Sequence, residues 1–164
     1  MPPSVTVRAV SPDTASCAAL LQLRVLPAQR TWVGTIADAL ADIAACPASA
    51  SMAILRNDIP VGHYRIDPHG RSIAGHDFAL PTLGLRAFFI DARWQGQGLG
   101  AAALRAMFPD LVARYPGAHQ LALSVGSDNH VAMHLYRRAG FVDSGELYHG
   151  GRCGAQQLLL RPLP

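Results

Sequence analysis

Three glycines at alternate positions mark the stretch whose residue types and spacing most clearly indicate chemistry. Gly96, Gly98 and Gly100 follow the apolar run 88–90 and precede the apolar run 101–104. This order predicts the end of a buried strand, a turn and the start of a helix. The first amides of a helix lie at the positive end of its dipole, and glycines let a ligand approach the backbone. The stretch is therefore a candidate phosphate-binding turn.

Two common phosphate-binding patterns fit this turn poorly. The P-loop pattern ends in a lysine and a hydroxyl residue, and the chain contains no lysine. The dinucleotide pattern is formally met by Gly96, Gly98 and Ala101. That pattern also needs an acidic residue at the end of the next strand, where this chain has Ser-Val-Gly at 124–126. A dinucleotide-binding oxidoreductase is therefore only an alternative reading.

A third pattern, Arg/Gln-x-x-Gly-x-Gly/Ala, is met by Gln95, Gly98 and Gly100, and a second motif follows it farther along the chain. The second motif consists of Asn129, Ala132, Tyr136, Gly140 and Phe141. In this order, one helix and one strand apart, the two motifs resemble the GCN5-related N-acetyltransferase (GNAT) superfamily. The segment 88–98 is most similar to the diamine-acetyltransferase-like branch.

The resemblance implies a single N-acetyltransferase domain over residues 1–164, with acetyl-CoA as the cosubstrate. The fold implied is α/β (α+β), with a mixed, mostly antiparallel sheet of about six to seven strands and about four helices. The activity implied is transfer of an acetyl group to a primary amine of a small molecule or peptide, by direct attack on the thioester. A degenerate domain that binds acyl-CoA without catalysis is the other alternative.

The resemblance also assigns roles to individual residues. The pyrophosphate is expected to bind the amides of residues 95–101. The pantetheine arm is expected beside strand residues 89–91. A backbone N–H near Ile90 would there polarise the thioester carbonyl. Tyr136 is expected to protonate the leaving thiolate. Asn129 would hold the pantetheine arm or keep the strands apart, although it is also a preferred helix cap. The complete predicted cosubstrate-binding set is Phe89, Ile90, Asp91, Gln95, Gly96, Gln97, Gly98, Leu99, Gly100, Ala101, Asn129 and Tyr136.

The general base is the point at which this chain departs from the family. Many members carry a glutamate in the fourth strand, whereas residues 83–90 contain no acid and Arg86 is their only charge. The remaining candidates are Asp91, His63, His76 and Asp77. An amine with a low pKa, or a chain of water molecules, would need no dedicated base. His130 and His134 have the spacing of zinc ligands on a helix, but the glutamate and third ligand of such sites are missing, so no metal site is predicted.

Alternation and turn signals predict the elements that would position these residues. Strands are expected at about 5–10, 51–56, 61–67, 83–91, 121–125, 141–148 and 155–161, and helices at about 13–25, 35–45, 98–115 and 129–139. In the superfamily the first two helices of the chain help to form the site that binds the amine substrate, the acceptor of the acetyl group. Pro109 should kink or restart the third helix, and Gly140 should end the fourth as a left-handed cap.

Composition excludes several classes of function. The chain has 164 residues, of which half are hydrophobic and 15% are charged, so it should form an ordered domain. Its net charge of +3 comes from scattered arginines, which does not indicate a nucleic-acid surface. No membrane span or signal peptide is predicted. Three widely spaced cysteines indicate neither a disulfide framework nor a metal site, which favours the cytoplasm. In this superfamily the strands that end the domain often pair between subunits, so the resemblance allows a homodimer.

Overall fold

A computed structural model describes residues 4–10, 23, 49–148 and 156–163. Its strands are β1 Val5–Ala9, β2 Ala50–Arg56, β3 Ile59–Asp67, β4 Thr82–Ile90, β5 Gln120–Gly126, β6 Val142–Tyr148 and β7 Gln156–Pro162. Its helices are α1 Arg71–Ala74, α2 Leu99–Arg114 and α3 His130–Arg138, and a short 3-10 turn spans Ala92–Trp94. No helix within these ranges is both long and apolar enough to cross a bilayer.

The seven strands form one mixed sheet in the order β1-β2-β3-β4-β5-β7-β6. Every neighbouring pair is antiparallel except β4 and β5, which run parallel. The predicted mixed, mostly antiparallel sheet is therefore confirmed, as are the two helices that follow the glycine turn and the fifth strand. The first two helices, predicted at about 13–25 and 35–45, lie outside the described residues apart from Leu23.

The long helices cover one face of the sheet, which we call the helix face. Leu104 and Met107 of α2 are fully buried there against Ile54 and Ile66 of the sheet, and Tyr136 of α3 joins the same cluster. This arrangement follows from the alternation of strand side chains, because the apolar residues at every second position share one face. The helix face therefore holds the main core.

A smaller apolar cluster lies on the other side of the sheet, which we call the opposite face. It contains Leu23, Ala53, Leu55 and Phe89. Farther along the same side, Ile73 of α1 packs with Ala122 and Leu158. The sheet is thus packed on both of its faces.

The special residues of the two long helices behave differently. Pro109 lies inside α2, which continues without interruption to Arg114, so the helix does not restart there and the predicted kink stays a prediction. Buried neighbours such as Met107 and Leu111 hold the helix together although the proline lacks its backbone donor. Gly140 has a φ of +102° just after α3, which confirms the predicted glycine end of that helix.

Candidate active site

The parallel strands β4 and β5 separate after a short pairing. Their register runs from Thr82 opposite Gln120 to Gly84 opposite Ala122, and the two strands do not pair beyond it. Each strand nevertheless continues past that point, β4 as far as Ile90. The unpaired ends leave a wedge between β4 and β5, which we call the opening. A wedge of this kind exposes backbone groups of both strands to a ligand.

A bulge shapes the β4 side of the opening. His63 faces Phe89 and Arg65 faces Arg86, so Tyr64 alone on β3 stands opposite two residues of β4, one of them Ala87. Ala87 has a φ of +54°, in the left-handed region that non-glycine residues rarely adopt. An extra residue in one strand bends that strand and re-aims its side chains. No pattern in the amino-acid sequence indicates this bulge.

The peptide groups of Ile90 face the opening. Gly62 on β3 stands opposite Ile90, and the Asp91 N–H donates to the Val61 carbonyl at 2.7 Å. This pattern identifies Gly62 and Ile90 as a non-hydrogen-bonded pair, whose N–H and C=O groups point away from each other. The Ile90 carbonyl is held by the Gln95 side-chain amide, with an N–O distance of 2.9 Å. The Ile90 N–H therefore points to the side on which β5 has separated.

Asp91 serves the turn that follows β4. Its carboxylate is fully buried and accepts hydrogen bonds from the Arg93 N–H at 2.8 Å and the Arg93 guanidinium at 2.9 Å. Its carbonyl accepts the Trp94 N–H at 2.9 Å. With its N–H bonded to Val61 as well, each polar group of Asp91 already has a partner. The surroundings of Asp91 therefore do not support its predicted contact with the cosubstrate, nor a role as the general base.

Phe89 also points away from the opening. Its ring is buried on the opposite face, with its centroid 6.3 Å from that of His63. Since Ile90 and Gly62 form a non-hydrogen-bonded pair, the alternation of an antiparallel ladder turns the Phe89 peptide groups toward β3. Of the predicted segment 89–91, Ile90 is thus the residue whose backbone faces the opening.

The three glycines of the turn have two different roles. Gly96 and Gly98 have φ values of +80° and +75°, and a Cβ added at either would meet nothing within 4 Å. A Cβ added at Gly100 would instead lie 3.3 Å from a methyl group of Leu135. Two glycines therefore keep the left-handed backbone and the open space that a ligand needs, whereas the third lets α2 pack against α3.

The start of α2 presents backbone donors. The Ala102 N–H donates to the Gly98 carbonyl at 3.2 Å as the first bond of the helix. The amides of residues 99–101 precede that bond and point out of the helix end. Leu99 contributes only its backbone, because its side chain is 2% exposed and belongs to the core. The helix end can therefore bind an anion through its amides.

A cation lies beside this turn. The Arg56 guanidinium donates to the Gln97 side-chain oxygen at 2.7 Å and lies 5.7 Å from the centre of the Trp94 ring. Sequence reasoning missed Arg56, because it lies on β2, far from the turn in the chain. Its charge adds to the positive end of α2.

Tyr136 lies on α3 beneath β4. Its ring packs edge-on against Phe88, with centroids 6.1 Å apart, and against Phe141 at 5.6 Å. Burial raises the pKa of the Tyr136 hydroxyl well above its usual range, so the group is protonated at neutral pH. A buried, protonated phenol next to β4 has the chemistry of a proton donor. Its predicted role as the general acid stays a prediction.

Asn129 caps α3. Its side-chain oxygen accepts the Ala132 N–H at 3.3 Å, and its own N–H donates to the Gly126 carbonyl at 2.9 Å. The helix-cap interpretation is therefore confirmed, and contact with the cosubstrate stays a prediction. The exposed side chains of His130 and His134 follow on the same helix.

His63 is a weak candidate for the general base. The side chain is fully buried, and its Nε2 lies 2.5 Å from the Ser51 hydroxyl. Burial, followed by the charge of Arg65, lowers the pKa of His63 to about 4. A group with so low a pKa is neutral at pH 7 but accepts protons poorly.

The other two candidates for the base are engaged in surface ion pairs. His76 lies 2.7 Å from the Glu146 carboxylate, and Asp77 lies 3.1 Å from the Arg71 guanidinium. The hydrogen bond to the Asp77 carbonyl, followed by that to Glu146, raises the pKa of His76. Within the described ranges, no candidate is marked out as a dedicated base.

A charged cluster on the opposite face was also missed by sequence reasoning. Arg65 and Asp67 are buried and form an ion pair at 3.1 Å, and the Ser49 hydroxyl donates to the same carboxylate. Arg86 of β4 approaches the Asp67 carboxylate at 3.5 Å. The available signal was the alternation in β3, which places Arg65 and Asp67 on one face of the sheet.

Known proteins resemble this chain in sequence and in fold. A model of the acetyltransferase (GNAT) family matches residues 17–141. The spermine/spermidine N(1)-acetyltransferase of Bacillus subtilis (strain 168) is 32% identical over 155 residues, which cover 90% of this chain and 94% of that protein. The aminoglycoside acetyltransferase AAC(6')-Ib in complex with coenzyme A superposes with a TM-score of 0.76 at 21% identity, over 97% of this chain and 95% of that one. The spermidine N-acetyltransferase of Vibrio cholerae, solved with CoA and spermine, superposes with a TM-score of 0.69 at 16% identity, over the same shares of the two chains. At these identities the two solved structures establish the fold alone.

Proposed function

Because this chain belongs to the acetyltransferase (GNAT) family and is therefore an acetyl-CoA-dependent N-acetyltransferase, we propose that it binds acetyl-CoA in the opening between β4 and β5. The observation that carries this proposal is the orientation of Ile90. Its N–H points into a wedge at whose edge the glycine turn begins. A thioester in the wedge and a pyrophosphate on the turn would be the two ends of one ligand.

The pyrophosphate would lie on the start of α2. The outward-pointing amides of residues 99–101 and the space above Gly96 and Gly98 support this position. The Arg56 guanidinium, placed beside the turn through Gln97, adds a positive charge for the phosphate groups. Gly100 would take part only through its backbone amide, because Leu135 occupies the space beside its Cα atom.

The pantetheine arm would run along β4 in place of the missing strand neighbour. Its amides can pair with the edge of β4 as an added strand does. The Ile90 N–H would then donate to the thioester carbonyl and stabilise the negative charge that develops on its oxygen. Gln95 supports this geometry, because its side chain binds the Ile90 carbonyl on the side of β4 that faces the opening.

The reaction is a direct transfer. The neutral amine attacks the thioester carbonyl carbon, the new C–N bond forms, and the C–S bond breaks with the electron pair going to sulfur. Tyr136 would donate its proton to the departing thiolate and regain one from solvent. The proton lost by the amine would pass to water, since the histidine and carboxylate candidates are buried, weakly basic or already paired.

The acceptor would be a primary amine of a small molecule or a peptide. The names of the relatives, which mention spermine, spermidine and aminoglycosides, support a small-molecule amine in general terms. A single domain over residues 1–164, a homodimer and a cytoplasmic location stay predictions from the sequence. So does the expectation that neither nucleic acid nor a membrane is a partner.

A screen of amines tests the proposed function. The protein is incubated with acetyl-CoA and a panel of primary amines, released CoA is measured with a thiol reagent, and acetylated products are identified by mass. We expect release that depends on the amine and yields one acetyl group per CoA. Binding of acetyl-CoA with no release above the amine-free rate for the whole panel would instead favour the degenerate acyl-CoA-binding domain. Binding of NADH in preference to acetyl-CoA would favour the dinucleotide alternative.

A further inference from the structure

Arg86 lies at the inner end of the opening. The β4–β5 pairing stops at Gly84, two residues before Arg86. The bulge at Ala87 follows directly, and Ile90 lies four residues farther along the same strand. At roughly 3.3 Å per strand residue, the distance between Arg86 and Ile90 is comparable with the sum of two lengths, that of a small acceptor molecule and that of an arginine side chain.

The Arg86 side chain lies on the opposite face of the sheet. Arg86 stands across from Arg65, and Phe89 stands across from His63. Cross-strand partners share a face, and Phe89 belongs to the apolar cluster of the opposite face. The phosphate-binding end of α2 packs on the helix face. A cosubstrate that enters at α2 and passes through the opening would therefore present its acetyl group toward the face that carries Arg86.

The guanidinium of Arg86 shares its carboxylate partner with Arg65. Arg86 lies 3.5 Å from the Oδ2 atom of Asp67, and Arg65 and Ser49 donate to the Oδ1 atom of the same carboxylate, so two guanidinium charges face one carboxylate charge. Asp67 is buried, whereas the Arg86 side chain keeps 42% of its surface exposed. A guanidinium in this position has donors left over for a second anion, and arginine binds a carboxylate in a two-pronged geometry.

From these contacts we infer that the acceptor of this enzyme carries a carboxylate, as an amino acid or peptide does, and that Arg86 binds this carboxylate while the amine reaches the thioester. The inference rests on the proposed function of the opening. It separates this chain from acetyltransferases of polyamines, because a polycation would meet the positive charge of Arg86. Arg86 would thus determine specificity, and it takes no part in the proton transfers.

The test compares matched amines and matched variants. Short, medium and long ω-amino acids are assayed beside their carboxamides and spermidine, and kcat/KM is measured for the wild type, Arg86→Gln and Arg114→Gln. Arg114 is a suitable control because its side chain is similarly exposed, at 39%, and pairs with a single carboxylate, that of Asp110, on α2. We expect the wild type to prefer the best acid over its amide by roughly 10- to 100-fold, as a charged hydrogen-bonding pair provides.

Arg86→Gln should reduce this preference to about threefold or less and improve spermidine as an acceptor, whereas Arg114→Gln should keep the wild-type ratio. The melting temperature should change little in either variant. The Arg114 pair is partly exposed, and Asp67 keeps its bonds from Arg65 and Ser49 when Arg86 is replaced. A wild type that acetylates amides or spermidine as fast as acids, or an unchanged ratio in Arg86→Gln, overturns the inference and leaves the N-acetyltransferase function intact. If acetyl-CoA binds and no amine is acetylated, the proposed function fails, and the inference fails with it.

Discussion

Gly98 allows the phosphate-binding role of the turn to be separated from its contribution to stability. Gly98 and Gly145 share two properties: their φ values are +75° and +82°, and a Cβ added at either would meet nothing within 4 Å. Gly98 precedes α2, whereas Gly145 lies in β6, at the edge of the sheet. The substitutions Gly98→Ala and Gly145→Ala therefore impose the same backbone strain at two places, of which only the first is a candidate site.

The stability effect should be alike in the two variants. Left-handed backbone costs a non-glycine residue about 1–2 kcal/mol, and alanine recovers about 0.4–1 kcal/mol through the less flexible unfolded chain. The net loss is about 1 kcal/mol, or about 2–4 °C in melting temperature for a chain of this size. In Gly98→Ala the new methyl group also occupies the empty space in which the pyrophosphate must approach.

Affinity should distinguish the two variants. Loss of one hydrogen bond to a charged phosphate oxygen costs about 1.5–3 kcal/mol, which raises the Kd for acetyl-CoA roughly 10- to 150-fold in Gly98→Ala. Gly145→Ala should bind acetyl-CoA as the wild type does. Isothermal titration calorimetry measures both values directly. Equal affinities in two folded variants would show that the phosphates do not lie on this turn.

Three further outcomes are expected. Acetyl-CoA at 100 times its Kd should raise the melting temperature by about 5–11 °C, since ligand linkage adds about 2.7 kcal/mol, and an equal shift with NADH would argue against the assignment. Tyr136→Phe should lower kcat roughly 10- to several-hundred-fold with little change in the KM for acetyl-CoA. Because burial raises the pKa of Tyr136, the wild-type rate should decline only at a pH above the reference pKa of a tyrosine, about 10. Full activity of Tyr136→Phe would remove Tyr136 from the mechanism. Since the pKa of His63 is lowered to about 4 in the folded protein, its contribution to the free energy of unfolding should be fully present above about pH 6.5 and fall by about 3 kcal/mol toward pH 4. Unfolding experiments at several pH values should show this loss in the wild type and not in His63→Gln.

The sequence predicted those elements whose signals are local. Alternation located the strands from β2 to β7 to within a few residues, and the glycine end of α3 followed from Gly140. The two short motifs identified the family, and the prediction of an acetyl-CoA-dependent N-acetyltransferase is confirmed. Family motifs succeed here because a strand, a turn and a helix start must occur in a fixed order along the chain.

Features that depend on contacts between distant segments were not predicted. The left-handed Ala87 carries no composition signal, because alanine seldom adopts that backbone and is held there by the pairing of Arg86 and Phe89, on either side of it, with β3. Asp91 resembled a site residue by its position in the motif, whereas its neighbours Arg93 and Val61 bind its polar groups. The approach of Arg56 to the turn likewise depends on the sheet, which brings β2 close to a segment forty-one residues later.

The structure of the protein with coenzyme A bound tests the central claim most directly. The distances to measure are those from the pyrophosphate oxygens to the amides of residues 99–101, and from the pantetheine arm to the Ile90 N–H. We expect the phosphates within about 3 Å of at least two of those amides and the arm in the opening between β4 and β5. Phosphates bound away from the start of α2, with the Ile90 N–H facing no part of the ligand, would contradict the proposed site.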